Sequence, residues 1–257
     1  MFKIIAIPAF QDNYIWAIHN NHHVIVVDPG DAVPVLAYLA TENLILSGIF
    51  CTHRHNDHVG GIEKLRAVYN VPVYGRQHPL NSHISHPVVH GEKIMLDAFN
   101  LVFEIIDVPG HLDDHIAFFS AQSTPEILFC GDVLFGAGCG KNFEGEVEAL
   151  HCSLQRLAQL PDSTLIYCAH EYTASNLRFA ALCEPGNLVM QQRIIETKTL
   201  RDANTPTVPS TLALEKATNP FLRCEQQEII KNLQKQGLTD FTSGAVFKAL
   251  RKWRDCF

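Results

Sequence analysis

Through roughly the first 170 residues the chain runs in short apolar stretches rich in Val, Ile and Phe, each stopped by Gly, Pro, Asp or Asn. This punctuation predicts strands over 2–7, 14–19, 23–27, 45–51, 71–74, 101–108, 115–120, 126–130 and 164–168. Between some of them apolar residues recur at helical spacing, predicting helices over 33–40, 61–69 and 147–159. Strands alternating with helices predict a layered α/β architecture. After about residue 171 the texture changes, because 173–183, 188–203 and 225–236 carry helical periodicity with almost no strand signal between them. The chain therefore divides into an α/β domain over 1–170 and a helical domain over 171–257. Within the second, TPTVPS (205–210) reads as an extended connector, since each Pro disfavours helix for itself and its predecessor.

Composition narrows the function classes. A net charge of −7 excludes a global basic surface that would grip nucleic-acid phosphates. No apolar run approaches the ~18 residues of a membrane-spanning helix, so no membrane partner is expected. The opening residues enter a strand pattern directly, without the marks of a signal or transit peptide, and a cytoplasmic location is expected. Eight cysteines are irregularly spaced with no CxxC pair, and Cys51, Cys130 and Cys168 sit in apolar surroundings, which predicts reduced, mostly buried thiols. The acidic charge and scattered hydrophobic positions are compatible with a monomer.

Histidine changes the picture, with fourteen residues of which several cluster. In THRHNDHVGG (52–61) four metal-capable side chains follow an apolar strand and precede a Gly-Gly helix start. His53 and His55 project the same way from an extended segment, whereas Asp57 and His58 belong to the next turn and point elsewhere, so one loop can serve two ions. Three further blocks share the design. PGH (109–111), GD (131–132) and AH (169–170) each put a His or Asp just past a short apolar strand. If these strands share one sheet direction, the blocks emerge along a single edge, where α/β enzymes place their sites.

Counting donors gives His53, His55 and His111 for one ion, Asp57, His58 and His170 for the other, and Asp132 as a bridging carboxylate. Imidazole and carboxylate without thiolate suit a hydrolytic centre of two divalent ions, zinc first, with iron or manganese also fitting. Two neighbouring ions can lower the pKa of a shared water and polarise a carbonyl or phosphoryl oxygen.

The motifs THRHNDHVGG, PGH, GD and AHEY together resemble the metallo-β-lactamase superfamily. The segments IPAFQDNYIW (7–16), VDPGD (27–31), FCGDVLFGAGCGKNFEG (129–145), CAHEYTASNLRFA (168–180) and VPSTLALEKATNPFLR (208–223) are similar to its glyoxalase II branch over almost the whole chain. That resemblance implies a four-layer αββα sandwich followed by a helical domain that helps bind glutathione. It implies a small-molecule glutathione thioester as substrate, cleaved by a metal-held hydroxide that Asp57 orients. It also implies contacts to glutathione from Lys141, Phe143, Tyr172, Arg251 and Arg254. Cationic groups among these can pair with the two carboxylates of glutathione. A thiolate leaves without a strong general acid, consistent with the absence of an evident one. Phe143 stands where some relatives have Tyr, which removes a hydroxyl contact. Asp114 lies in the turn before His115, which more usually contains Gly, and Arg54 stands where His is common and is expected to point away from the ions. His115 is expected to pack rather than ligate. The alternatives are a lactonase or β-lactamase, a mononuclear-iron persulfide dioxygenase, and a metal-binding or redox-sensing module without turnover.

Overall fold

The computed structural model describes residues 2–257 and resolves two compact units, Met1–Asp107 with Asp114–Gly131, and Val108–Asp113 with Asp132–Phe257. The first unit contains β1 (Lys3–Ala9), β2 (Asn13–His19), β3 (His23–Val27), α1 (Ala32–Glu42), β4 (Ile45–Phe50), α2 (Asn56–Val59), α3 (Ile62–Val68), β5 (Val73–Gly75), β6 (His86–Pro87), β7 (Lys93–Leu96), β8 (Leu101–Asp107), β9 (Ile116–Ser120) and β10 (Ile127–Gly131). β1 to β6 form one mixed sheet in sequence order, antiparallel through β3 and parallel from β3 to β6. The parallel steps need crossovers: α1 supplies that from β3 to β4, α2 and α3 that from β4 to β5, and the loop 76–85 connects β5 to β6. α1 starts where the Asp31 carboxylate accepts the Val33 N–H and ends at Asn43, whose left-handed backbone closes the last turn.

Alternation along the strands decides which face each residue covers. Val24, Val26 and Ile49 face α1 and α3 and pack with Val35, Leu39, Ile62 and Leu65. Phe50 turns the other way, stacks on Phe118 at 4.4 Å and meets Phe103 edge-on at 5.3 Å. Those two rings belong to the second sheet, in which β7 to β10 pair antiparallel in sequence order. The first unit is thus three layers, helix, sheet and sheet, with Phe50 as the keystone between the sheets. Truncating Phe50 to Ala should cost about 3–5 kcal/mol by the usual cavity penalty.

The expectation of one shared sheet edge is corrected here. β4 and β8 lie in different sheets; what holds is that β8 and β10 both pair antiparallel with β9 and so run the same way. β6 and three strands below, of two residues each, are too short to show alternation and escaped sequence reading, as did the four-residue β7.

The second unit contains β11 (Leu134–Phe135), β12 (Gly138–Cys139), α4 (Val147–Leu157), β13 (Leu165–Cys168), α5 (Thr173–Cys183), α6 (Leu188–Asp202), β14 (Ser210–Thr211), α7 (Leu212–Thr218), α8 (Gln227–Gln234) and α9 (Ser243–Asp255). The side chains of Asn187, Thr211 and Thr242 cap α6, α7 and α9. Glu215 of α7 is wholly buried and accepts from Arg193 at 2.6 Å, Ser210 at 2.6 Å and the Ala137 N–H at 2.8 Å. It thereby ties the β11–β12 hairpin to α6, and a buried carboxylate so satisfied is costly to disconnect.

Candidate metal centre

The histidine motif leaves β4 as an extended loop and then winds into α2, so its four donors divide between two backbone shapes. Asp28, just past β3, organises both parts. It accepts from the Thr52 N–H at 2.8 Å, the Thr52 hydroxyl at 2.7 Å and His58 Nδ1 at 3.0 Å. Because the Thr52 proton goes to Asp28, Thr52 Oγ1 must accept from His53 Nδ1, 3.0 Å away. Both rings therefore carry their proton on Nδ1 and present Nε2 as the electron-pair donor. His53 Nε2 lies 3.1 Å from His55 Nδ1, and His58 Nε2 lies 3.4 Å from Asp57 Oδ2. Asn13 donates to the same Asp57 oxygen at 3.0 Å.

The second unit repeats the device with other parts. His111 Nδ1 sits 2.8 Å from the Lys141 carbonyl, which can only accept, so the proton is again on Nδ1. His111 Nε2 faces Asp132 Oδ2 at 3.6 Å, and His170 Nε2 faces Asp132 Oδ1 at 3.4 Å. One buried carboxylate thus presents each of its oxygens to a different imidazole.

These separations test the fit to a metal. Two donors about 2.0–2.1 Å from one ion at a tetrahedral angle sit about 3.3–3.4 Å apart. The four pairs, at 3.1, 3.4, 3.6 and 3.4 Å, bracket that value. Oxygen and nitrogen donors without thiolate complete the match to a catalytic rather than a structural site.

Each unit also presses a glycine against the backbone of its carboxylate. A Cβ on Gly30 would lie 1.8 Å from the Asp57 carbonyl oxygen, and one on Gly140 would lie 1.9 Å from that of Asp132. No side chain fits at either place.

Arg54 turns to Asp114 and pairs with it at 2.5 Å, both side chains being nearly buried. Two of the three departures from the family pattern, Arg54 and Asp114, therefore meet. His115 stacks on His53 with centroids 4.6 Å apart, a packing role as expected. Tyr172 lies flat on His170 at 4.7 Å. Lys141 and Phe143 are exposed and adjacent, the ammonium 5.5 Å from the ring centroid. Arg254 is half-buried over Phe179 and Phe257 and donates to Ser175 at 3.3 Å. Arg251 is different: it is 6% exposed, and its guanidinium is bonded to the Cys139 and Gly140 carbonyls and to Asp255. Only its Nε is a buried donor with no hydrogen-bond partner among the described residues.

Sequence reading missed Asp28, Asn13 and Thr52. Asp28 was findable, since an acid just past a short apolar strand is the signal that singled out Asp132. The Lys141 carbonyl was not, because main-chain acceptors leave no mark in a sequence.

Comparison with known proteins gives the family. Residues 9–170 match the model described as metallo-beta-lactamase superfamily, and 171–257 match that described as hydroxyacylglutathione hydrolase C-terminus. Proteins named hydroxyacylglutathione hydrolase from Nitrosomonas eutropha and Chromohalobacter salexigens are 44% and 47% identical, each aligned over all of both chains. The chain belongs to the hydroxyacylglutathione hydrolase family. BLEG-1, a B3 metallo-beta-lactamase, superposes with a TM-score of 0.63 at 21% identity over 86% of this chain and 99% of that one, in agreement with the metallo-β-lactamase fold expected above. ETHE1 from Myxococcus xanthus superposes with a TM-score of 0.64 at 24% identity, over 100% of this chain and 99% of that one. TTHA1623, solved in a di-iron-bound form, gives 0.59 at 25% identity over 86% of this chain and 100% of that one. Like its relatives in the hydroxyacylglutathione hydrolase family, this chain is a hydrolase with His and Asp clusters suited to metal ions. No helix among its described residues is long and apolar enough to cross a membrane.

Proposed function

We propose that the chain hydrolyses S-D-lactoylglutathione, or a similar 2-hydroxyacyl glutathione, to the hydroxy acid and glutathione. His53, His55, Asp57, His58, His111, Asp132 and His170 would hold two divalent ions, zinc by donor chemistry. The observation that carries the reading is Asp132, whose two oxygens face two different imidazole nitrogens, at 3.6 and 3.4 Å, so that one carboxylate could serve both ions. Metal ions bound there would supply an activated water and polarise the thioester carbonyl.

The chain's own residues do the positioning. Asp28, directly and through Thr52, and the Lys141 carbonyl fix the tautomers of His58, His53 and His111, so that the Nε2 of each faces its partner donor. Asn13 holds one Asp57 oxygen, leaving the carboxylate in a set orientation from which it can direct the attacking water. The departing sulfur needs no dedicated acid, because a thiolate, whose thiol has a pKa of about 8.5, leaves without prior protonation. Lys141, Phe143, Tyr172 and Arg254 are offered as contacts to glutathione, with the buried Nε of Arg251 as a further donor for a carboxylate. We assign catalysis to 1–170 and substrate binding to 171–257, in a monomer. Eight free cysteines, six of them buried, support a reducing, cytoplasmic setting. The test is hydrolysis of the thioester by purified protein with and without chelator. Intact thioester beside efficient cleavage of a lactam or lactone would transfer the chain to another activity of the superfamily.

A further inference from the structure

The loop 139–143 lies against the second unit's His111 and Asp132. The Lys141 carbonyl accepts from His111 Nδ1 at 2.8 Å, the Phe143 N–H donates to the His111 carbonyl at 3.2 Å, and Asn142 Nδ2 donates to the Gly110 carbonyl at 2.6 Å. Gly140 leans on the Asp132 backbone so closely that a Cβ there would also come within 3.2 Å of His111 Nδ1. The His111 ring keeps its direction only while this loop keeps its place.

An anchor for that loop comes from the far end of the chain. Arg251, on α9, directs Nη1 at the Cys139 carbonyl (3.1 Å) and the Gly140 carbonyl (3.2 Å), with Cys139 Sγ at 3.5 Å. Its own aim is fixed twice, by Nη2 donating to Asp255 at 2.9 Å and by Phe221 lying 5.2 Å from the guanidinium carbon. A guanidinium is a rigid planar fork, so holding one arm and one face sets the direction of the other arm. The two carbonyls it pins directly precede the carbonyl that puts the proton on His111 Nδ1.

We propose that Arg251 is a positioning residue for His111, through which α9 sets the metal affinity of the second unit before any substrate arrives. This rests on reading His111 and Asp132 as metal ligands. It adds that the helical part of the chain, assigned to glutathione by resemblance, also shapes the metal site.

The test is zinc affinity of the substrate-free full chain, read by competition with a chromophoric chelator while circular dichroism follows folding. Arg251→Met should lower the affinity about tenfold, the low end for loss of a ligand's outer partner. Arg251→Lys, which keeps the charge and three donors but not the planar fork, should lower the affinity less than Arg251→Met. Val246→Ala removes buried packing from the same helix without touching the loop, and should change affinity by less than about threefold. A fall in Val246→Ala equal to that in Arg251→Met makes the effect general and overturns the proposal. His111→Ala separates the two levels. If it weakens zinc binding while Arg251→Met does not, the positioning role alone is overturned; if it does not weaken binding, the ligand reading and this inference fall together. Should Arg251→Met fail to fold, Arg251→Gln, neutral and with too short a reach for both carbonyls, carries the same expectation and the same overturning result.

Discussion

In the first unit His58 is oriented by a carboxylate, Asp28 Oδ2 at 3.0 Å, whereas in the second His111 is oriented by a peptide carbonyl, that of Lys141 at 2.8 Å. Both acceptors place the proton on Nδ1 and turn Nε2 outward for coordination. They differ in charge and in what a substitution can reach. A carboxylate raises the basicity of its imidazole and vanishes with one side chain. A main-chain carbonyl does the same task more weakly and is lost only if the loop moves. The same chemistry is therefore exposed to substitution of the acceptor itself in one unit and, in the other, only to substitutions that move the loop.

The largest effect should come from Asp132→Ala, which removes the group that both imidazoles of the second unit face. Elemental analysis should find metal lost, and kcat/KM should fall more than about 100-fold, beyond what outer partners command. Full metal content with full turnover would show that the carboxylate bridges nothing. Asp28→Asn comes next. Asparagine tolerates the left-handed backbone that Asp28 adopts at φ 53°, so the substitution removes charge without straining the chain. Metal affinity should drop about 10- to 100-fold. An unchanged affinity would erase the contrast between carboxylate and carbonyl.

Two glycines sharpen the comparison by giving each unit the same insult. Gly30→Ala and Gly140→Ala both drive a methyl into the carbonyl of a carboxylate residue, and each should destabilise by about 1–3 kcal/mol in thermal or denaturant unfolding. Lys141→Ala then probes the side held by the loop. Since the carbonyl and not the ammonium holds His111, metal affinity should stay within about twofold, while loss of the cation raises KM for the thioester about tenfold. A large fall in metal affinity would mean that the side chain matters to the loop.

How much of this was legible in the sequence follows from the same contrast. All seven proposed donors could be read from spacing, because short apolar strands ending in His or Asp are a local pattern. The long strands and the helices α5 and α6 were also legible, since each repeats its period several times. The β11–β12 hairpin was not, for its two-residue strands carry no period and depend on Glu215, far along the chain, accepting the Ala137 N–H. Asp28 carries the same strand-end signal as Asp132, but its role shows only in the three donors that folding brings to it. Arg251 was named as a substrate contact by resemblance alone, and burial beneath its own helix is a tertiary fact that no motif encodes.

The smallest expected effect concerns the thiols. Burial raises the pKa of Cys168 to about 12 and that of Cys139 to about 11, against an opposing pull from Arg251 in the latter. At pH 8 both stay protonated and unreactive, so alkylation of the native protein should label exposed Cys152 and Cys256 and spare the buried six. Labelling of Cys139 in the native state would mean that the loop beside His111 opens.

The most direct measurement is metal stoichiometry paired with thioester turnover on one preparation, stripped by chelator and titrated back with zinc. The account predicts two equivalents bound per chain and hydrolysis of S-D-lactoylglutathione that returns with them. Full metal loading with the thioester left intact would contradict it.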